Sequence, residues 1–576
     1  MVFIKLHGSR SLPEHGNVIG KPETLAECVD GSAPDIFEAL DPSLHSSRSW
    51  PLTAAIAVLL VALGAALWVS LRQNGGHLVY ALDDPYIHMA MAKNVALHGV
   101  WSINANHFTS SSSSLLWTAG VAALFFVLGV HQVIPLVLNV LIAIALLAFI
   151  FRLLAGAGIA RLPGYLFLVL TATALVAPLP GLVFVGQEHI LHALVNLAFV
   201  TIAGSRLATD VRGWRDRSFV TLCALAFLLP LIRYEAVFVV GIVAITLLAQ
   251  RKWEGALLII CASVPVVMYG ALSTWWGWYW LPNSVLLKGT RPDLTTVQGL
   301  AQTLGYVSYS RLIDLPAVAF LLYVAVAAFA LRLTRGVRDD LQWMLGIFVV
   351  LTLVHLQFAQ PSAFWFFRYE AYLIILGSVV VARALGEWLL TLRVGEWSRM
   401  HALGFELALV LLFGFSPLPE RAAKALIYLP QATTNIYQQQ YQMGLFLKRF
   451  YDGTPVALND IGAASYLADI EGIDLAGLAN VDVARHMLAG LYDYEEIEEI
   501  AQTSGAPIAI VYDSWFGDRI PANWRRAGTW TIRNNVVVGS DTVTFYAIRP
   551  DAFAGLKTRL HDFSADLPRE VVQRLE

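Results

Sequence analysis

A chain of 576 residues with 57% hydrophobic and only 14% charged side chains is not composed like a water-soluble protein, where about a quarter of residues are charged. The formal net charge of -3 leaves no electrostatic footprint for a nucleic-acid partner. The cysteines Cys28, Cys223 and Cys261 form no C-x-x-C pair, which argues against a thiolate metal centre or a disulfide framework.

Residues 1–49 are polar and lack the apolar core of a signal peptide, so they are expected to form a disordered cytoplasmic tail. Trp50 to Leu71 is the first expected span, long enough to cross about 30 Å of hydrocarbon. Further apolar segments lie at 113–130, 132–154, 163–179, 189–204, 218–232, 235–250, 255–273, 315–331, 342–359, 369–390 and 401–417. Basic residues concentrate in every second connection. One set holds Arg152 and Arg161, then Arg206, Arg212, Arg215 and Arg217, then Arg251 and Lys252, then Arg332, Arg335 and Arg338, then Arg383, Arg393 and Arg399. The positive-inside rule makes this set cytoplasmic. For the N-terminal tail to share that side, 113–130 must not cross, so the first outer loop is expected to carry surface or re-entrant helices over 84–130. That leaves about eleven spans in a module covering 50–417. The loops 72–131, 180–188 and 274–312 then lie on the outer face with everything from 418 onward. In 418–576 the short apolar runs Val456–Leu458, Ile508–Tyr512 and Val543–Ile548, with a helical pattern over Tyr494–Ala501, predict a soluble α/β domain. The expected fold is thus an α-helical polytopic membrane protein with a C-terminal extracytoplasmic α/β domain.

The most informative outer segment is Leu82-Asp83-Asp84-Pro85-Tyr86-Ile87-His88. Carboxylates beside a bilayer are costly unless paired, coordinated or functional. One of them can serve as a general base, or the pair can hold a divalent cation, Mg2+ or Mn2+. The plain alternative is a helix cap in a solvated loop. Further outer positions bring charge to the same depth: Gly186-Gln187-Glu188-His189, Arg233-Tyr234-Glu235, the aromatic run Trp275–Trp280 leading through Leu281-Pro282-Asn283 to Lys288, and Phe367-Arg368-Tyr369-Glu370. Trp and Tyr belts, snorkelling arginines and caps explain any one of these alone. Arg233, Lys288 and Arg368 together could clamp a phosphate or diphosphate.

These residues resemble the C-type membrane glycosyltransferases (GT-C), nearest to the mycobacterial cell-wall arabinofuranosyltransferases and their bacterial relatives. The likeness runs in order through Asp83-Asp84-Pro85-Tyr86-Ile87, Lys93-Asn94, Gly99, Asn104, Ser113-Ser114-Leu115-Leu116-Trp117, Gly186-Gln187-Glu188-His189, Arg233-Tyr234-Glu235, Leu281-Pro282-Asn283 with Lys288, Arg368-Tyr369, Asn459-Asp460-Ile461-Gly462-Ala463, and Asp474-Leu475-Ala476-Gly477-Leu478. It departs at Pro85, Ala90 and His189, where the family has Ala, often Arg, and Thr. The resemblance implies a multi-pass enzyme of the bacterial plasma membrane. Such an enzyme moves a hexosyl or pentosyl group from a polyprenyl-phosphate donor to a glycan or lipid acceptor on the outer face, with inversion. Asp83, ahead of Asp84, is expected to be the base. Tyr86, Lys93, Glu188, His189, Arg233, Glu235, Asn283, Lys288, Arg368 and Tyr369 are expected to bind substrate. No cofactor is required by this reading, and Mg2+ or Mn2+ at Asp83 and Asp84 is its open alternative. Asp460, Asp474 and Asp513 read as turn or cap residues. The rival class is a polytopic transporter or lipid flippase, which would show repeated halves with broken midplane helices. No such repeat is present in the sequence.

Overall fold

In the computed structural model, long apolar runs become helices whose ends are set by proline, glycine and capping side chains. The structure describes residues 49–209, 216–288, 296–302, 305, 308–358, 364–391, 414 and 416–576. The expected tail over 1–49 and the expected span at 401–417 fall almost wholly outside them. Among the described residues, eight helices are long and apolar enough to cross a membrane: Trp50–Gln73, Ile134–Gly156, Pro163–Val185, His189–Ala208, Glu254–Trp275, Pro316–Thr334, Asp340–Phe358 and Ala371–Thr391. Three shorter apolar helices, Leu115–Leu128, Arg217–Ile232 and Tyr234–Ala249, accompany them. At about 1.5 Å per residue, the 14 residues of Leu115–Leu128 reach about 21 Å, short of a full hydrocarbon crossing.

One feature departs from the sequence reading, and one agrees with the helices expected over 84–130. The expected connection 180–188 is largely the helix Leu179–Val185, started by Pro180 in its first turn and closed by Gly186 in the left-handed region (φ 67°). The helix after Asp83 starts at Asp84 and runs to His98, ending on Gly99 (φ 68°).

The C-terminal region opens with the helix Leu418–Ile436, which packs along Trp50–Gln73. A six-stranded mixed sheet follows: β1 (Pro455–Leu458), β2 (Glu471–Asp474), β3 (Ile508–Val511), β4 (Arg525–Thr531), β5 (Thr542–Ala547) and β6 (Val572–Leu575), in the order β2-β1-β3-β5-β4-β6. β1 pairs in parallel with β2 and β3, and the remaining neighbours are antiparallel. The apolar runs expected as strands become β1, β3 and β5, and the helix expected at 494–501 is Tyr494–Thr503. β3 is buried at every position, as a central strand covered on both faces must be.

Asp474 is the turn residue expected, whereas Asp513 reaches across to β5. Asp474 accepts the amides of Ala476 (2.7 Å) and Ala479 (2.6 Å), and Asp513 accepts the Tyr546 hydroxyl (3.1 Å).

Candidate active site

The site is built around the start of the helix Asp84–His98. Carboxylates are favoured at a helix N-terminus, and Pro85 fits its first turn. One residue step turns a helical side chain by about 100°, so the two neighbouring acids meet different partners.

Asp84 faces a cavity of about 450 Å3. Its carboxylate pairs with the Arg368 guanidinium and lies 3.5 Å from the Lys288 ammonium. Burial works to raise the Asp84 carboxyl, yet Lys288 and Arg368 outweigh it and hold it well below the usual carboxylate range. Arg368 also donates to Gln187 Oε1 (2.6 Å). Arg233 donates to Glu188 (2.6 Å) and Glu235 (2.6 Å). The Tyr369 ring lies beneath both guanidiniums, 4.9 Å from Arg368 Cζ and 5.5 Å from Arg233 Cζ. The cavity is therefore lined by Asp84, His189, Arg233, Glu235, Lys288, Arg368 and Tyr369, all singled out from sequence, with Glu188 buried behind Arg233. Its other wall is apolar: Val237, Phe238, Val266, Val285, Leu286 and Phe358, most of them on helices of the membrane module.

Several buried polar atoms at this site have no hydrogen-bond partner among the described residues: Glu188 Oε2, His189 Nε2, Ser111 Oγ, Ser284 Oγ and Arg368 Nε. Orphaned polar atoms gathered around one cavity are what a polar ligand would satisfy.

Asp83 is turned away from this wall. Its two oxygens accept the amides of Gly462 and Ala463, each at 2.8 Å, at the start of the short helix Gly462–Leu467. Burial and the Asp460 carboxylate push the Asp83 carboxyl up, against the pull of those amides. Burial also raises Asp460, which accepts from Gln440 (2.8 Å) and the Tyr512 hydroxyl (2.8 Å).

Besides Glu188, three expected substrate-binding residues do not line the cavity, and each has a physical reason. Tyr86 is fully buried, and its hydroxyl accepts from the Tyr80 amide (3.1 Å) and Gln132 (2.9 Å). Lys93 pairs with Asp469 (2.9 Å) and donates to the Tyr466 carbonyl (3.1 Å). Asn283 donates to the Gly477 carbonyl (2.7 Å). Lys93 and Asn283 thus bind the membrane module to the C-terminal region, which in turn lends Leu478 to the cavity.

Sequence reasoning passed over Gln187, His88 and His355 at the cavity, and Asp460 beside Asp83. His88 was legible, because it sits four positions after Asp84 and so shares its helix face. It lies 2.7 Å from Thr118 Oγ1 and 3.9 Å from Glu188. Asp460 gives no local signal beyond its motif.

Among the described residues, no group of three or more His, Cys, Asp or Glu side chains is arranged to hold a metal ion. The Asp83 oxygens are taken by amides and those of Asp84 by cations, so the pair does not present a shared set of oxygens to Mg2+ or Mn2+.

A family model described as a domain of unknown function (DUF8728) matches residues 434–546. No curated protein matches the sequence. Among solved structures, the chain is similar to ArnT from Cupriavidus metallidurans in the apo state, at 12% identity and a TM-score of 0.49, over 88% of this chain and 99% of that one. It is similar to the same protein bound to undecaprenyl phosphate, at 13% identity and a TM-score of 0.46, with the same coverage. It is also similar to the archaeal oligosaccharyltransferase AglB from Archaeoglobus fulgidus in complex with an inhibitory peptide and a dolichol-phosphate. That match has 10% identity and a TM-score of 0.42, over 89% of this chain and 75% of that one.

Proposed function

We propose that this chain is a membrane glycosyltransferase that takes a hexosyl or pentosyl group from a polyprenyl-phosphate donor. The observation that carries this reading is Asp84, held between Lys288 and Arg368 in a cavity whose opposite wall is apolar. A cavity of about 450 Å3 falls in the range of small-molecule sites. A donor phosphate is a stronger partner for a guanidinium and an ammonium than a single carboxylate. On donor binding, the phosphate takes Lys288 and Arg368 from Asp84, and the isoprenoid chain lies along Val237, Phe238, Val266 and Phe358.

Deprived of its cations, the Asp84 carboxylate becomes basic enough to act. It takes the proton of the acceptor hydroxyl as that oxygen attacks the anomeric carbon. The bond from that carbon to the phosphate oxygen breaks with its electron pair on the phosphate, through a transition state of oxocarbenium character. Lys288 and Arg368 stabilise the charge gathering on the leaving phosphate, with Arg233 nearby. A single in-line displacement inverts the anomeric centre. Glu188, Glu235, His189 and Tyr369 fix the cations and meet the sugar hydroxyls. Asp83 holds the C-terminal region against the loop and acts as a positioning residue. The basic end of the helices faces the cytoplasm of a bacterial plasma membrane, which puts the cavity and the C-terminal region on the outer side, where a glycan or lipid acceptor arrives. The order of motifs from Asp83 to Leu478 supports the arabinofuranosyltransferase-like subgroup.

The test is release of labelled sugar from a panel of polyprenyl-phosphate sugars by the purified protein in lipid vesicles, with Asp83→Asn and Asp84→Asn variants alongside. The reading expects turnover that Asp84→Asn abolishes. Turnover of no lipid-linked sugar, or full turnover by the Asp84→Asn variant, overturns it.

A further inference from the structure

We propose that a second cleft, between the end of the helix Trp50–Gln73 and the C-terminal region, binds the phosphate group of an anionic lipid. The cleft, of about 540 Å3, is lined by three arginines, Arg72, Arg533 and Arg569, and one acidic residue, Glu570. Among the described residues, none of the three arginines has a carboxylate within ion-pair distance. Three arginines against one carboxylate around a cleft leave an excess of positive charge that favours an anion between them.

The three arginines come from distant parts of the chain, and buried polar contacts hold them together. Asn74 is fully buried and donates to Thr433 Oγ1 (3.2 Å), while Thr434 Oγ1 lies 3.1 Å from Gln73 Oε1, fastening the end of Trp50–Gln73 to the helix Leu418–Ile436. The next residue, Asn435, is also fully buried. It donates to the carbonyls of Arg533 (3.5 Å) and Asn534 (3.4 Å) and accepts the Val536 amide (2.9 Å), which holds the loop bearing Arg533 against the same helix. Arg569 arrives just before β6.

The depth of the cleft identifies the ligand. Arg72 lies in the last turn of a membrane-length helix, its guanidinium 5.3 Å from the ring of Trp68, which is 61% exposed. An exposed tryptophan one turn below an arginine marks the layer of lipid head groups. Snorkelling alone would account for Arg72, but Arg533 and Arg569 belong to the C-terminal region and have no hydrocarbon to escape. The amides of Gln431 and Gln438 beside them suit the hydroxyls of a polar head group. Phosphate is the shared chemistry, and it can come from a lipid head group or from free phosphate.

This proposal stands apart from the transfer reaction, and its test needs no turnover. The full chain, stripped of lipid in detergent, would be titrated with phosphatidylglycerol, phosphatidylcholine and inorganic phosphate, with bound lipid read by native mass spectrometry and stability by thermal unfolding. Phosphatidylglycerol should bind at least tenfold tighter than phosphatidylcholine, and Arg72→Gln/Arg533→Gln/Arg569→Gln should reduce that preference to about twofold. Should the triple variant fail to fold, each single variant should lower the preference about threefold, while Arg549→Gln leaves it unchanged. Weak competition by inorganic phosphate supports the lipid as the source. Inorganic phosphate that raises the unfolding temperature as much as the lipid, with phosphatidylcholine binding as well as phosphatidylglycerol, overturns the lipid assignment. Equal phosphatidylglycerol binding by wild type and triple variant overturns the site.

Discussion

Asp83 and Asp84 are neighbours in the chain, yet they serve two regions held together in opposite ways. The seam between the loops that follow Trp50–Gln73 and Glu254–Trp275 and the C-terminal region is made largely of side chains gripping main chain, with the Lys93–Asp469 ion pair beside them. Asp83 takes the amides of Gly462 and Ala463, Lys93 the Tyr466 carbonyl, Asn104 both the amide and the carbonyl of Gly472, and Asn283 the Gly477 carbonyl. None of these four side chains lines the cavity. The cavity is made of side chains gripping side chains of opposite charge, with polar atoms left over. Pairs of that kind can change partners when a phosphate arrives. A charged motif next to a membrane can therefore encode assembly and chemistry in consecutive residues.

Substitutions should separate the two regions. The largest effect is expected in the cavity. Lys288→Ala and Arg368→Ala should each lower transfer by about 100- to 1,000-fold, the scale of losing a preorganised charge partner in a water-poor site. Their unfolding temperatures should stay near wild type if the cavity is chemical rather than structural. Lysine at 368 should rescue only part of the rate, because it cannot span Gln187 and Asp84 as a guanidinium does.

The next effect belongs to the seam. A Cβ on Gly462 would collide with the Asp83 carbonyl oxygen and lie 2.6 Å from its Oδ2, so Gly462→Ala should cost about 1–3 kcal/mol by overpacking. Thermal unfolding and protease resistance of the C-terminal region should both report that loss. Asn283→Ala should cost about 1–2 kcal/mol by leaving the Gly477 carbonyl without its donor, with transfer reduced far less than in the cavity variants. A loss of rate matching Lys288→Ala, without a loss of stability, would move Asn283 from the seam into the site.

The smallest effect concerns pH. The Asp83 and Asp460 carboxyls are both raised in the folded state. The folded protein then binds more protons than the unfolded chain once pH passes the ordinary carboxylate value of about 4. Stability should therefore fall as pH climbs from there toward the raised values. Asp460→Asn removes one acid and the like charge facing the other, so it should flatten that fall. Asp84 is shifted the opposite way, and its contribution should be lost only in strong acid. An unchanged slope in Asp460→Asn would show that Asp460 is neither raised by folding nor felt by Asp83.

The sequence announced the helices well, because long apolar runs leave a chain in a bilayer little choice: the span expected from Trp50 to Leu71 runs Trp50–Gln73. Strands β1, β3 and β5 were legible as buried apolar runs. β2, β4 and β6 were not, since Glu471-Gly472-Ile473-Asp474, Arg525–Thr531 and Val572-Gln573-Arg574-Leu575 mix polar with apolar residues, and two of these strands lie at sheet edges. Connection 180–188 was misread because proline and glycine there cap a short helix rather than break one. Within the site, the residue types and their gathering on one face were legible, and the individual pairings were not. Asp84 meets Lys288 across 204 positions and Arg368 across 284, a distance on which local pattern is silent. The split between Asp83 and Asp84 depends on the phase of one helical turn, which the adjacent letters do not carry.

The most direct measurement is single-turnover transfer from a polyprenyl-phosphate sugar in vesicles by wild type, Asp84→Asn and Asp83→Asn, with donor binding measured on the same samples. The account predicts that Asp84→Asn binds donor and transfers nothing, while Asp83→Asn is less stable but keeps measurable transfer. Undiminished transfer by Asp84→Asn would contradict it.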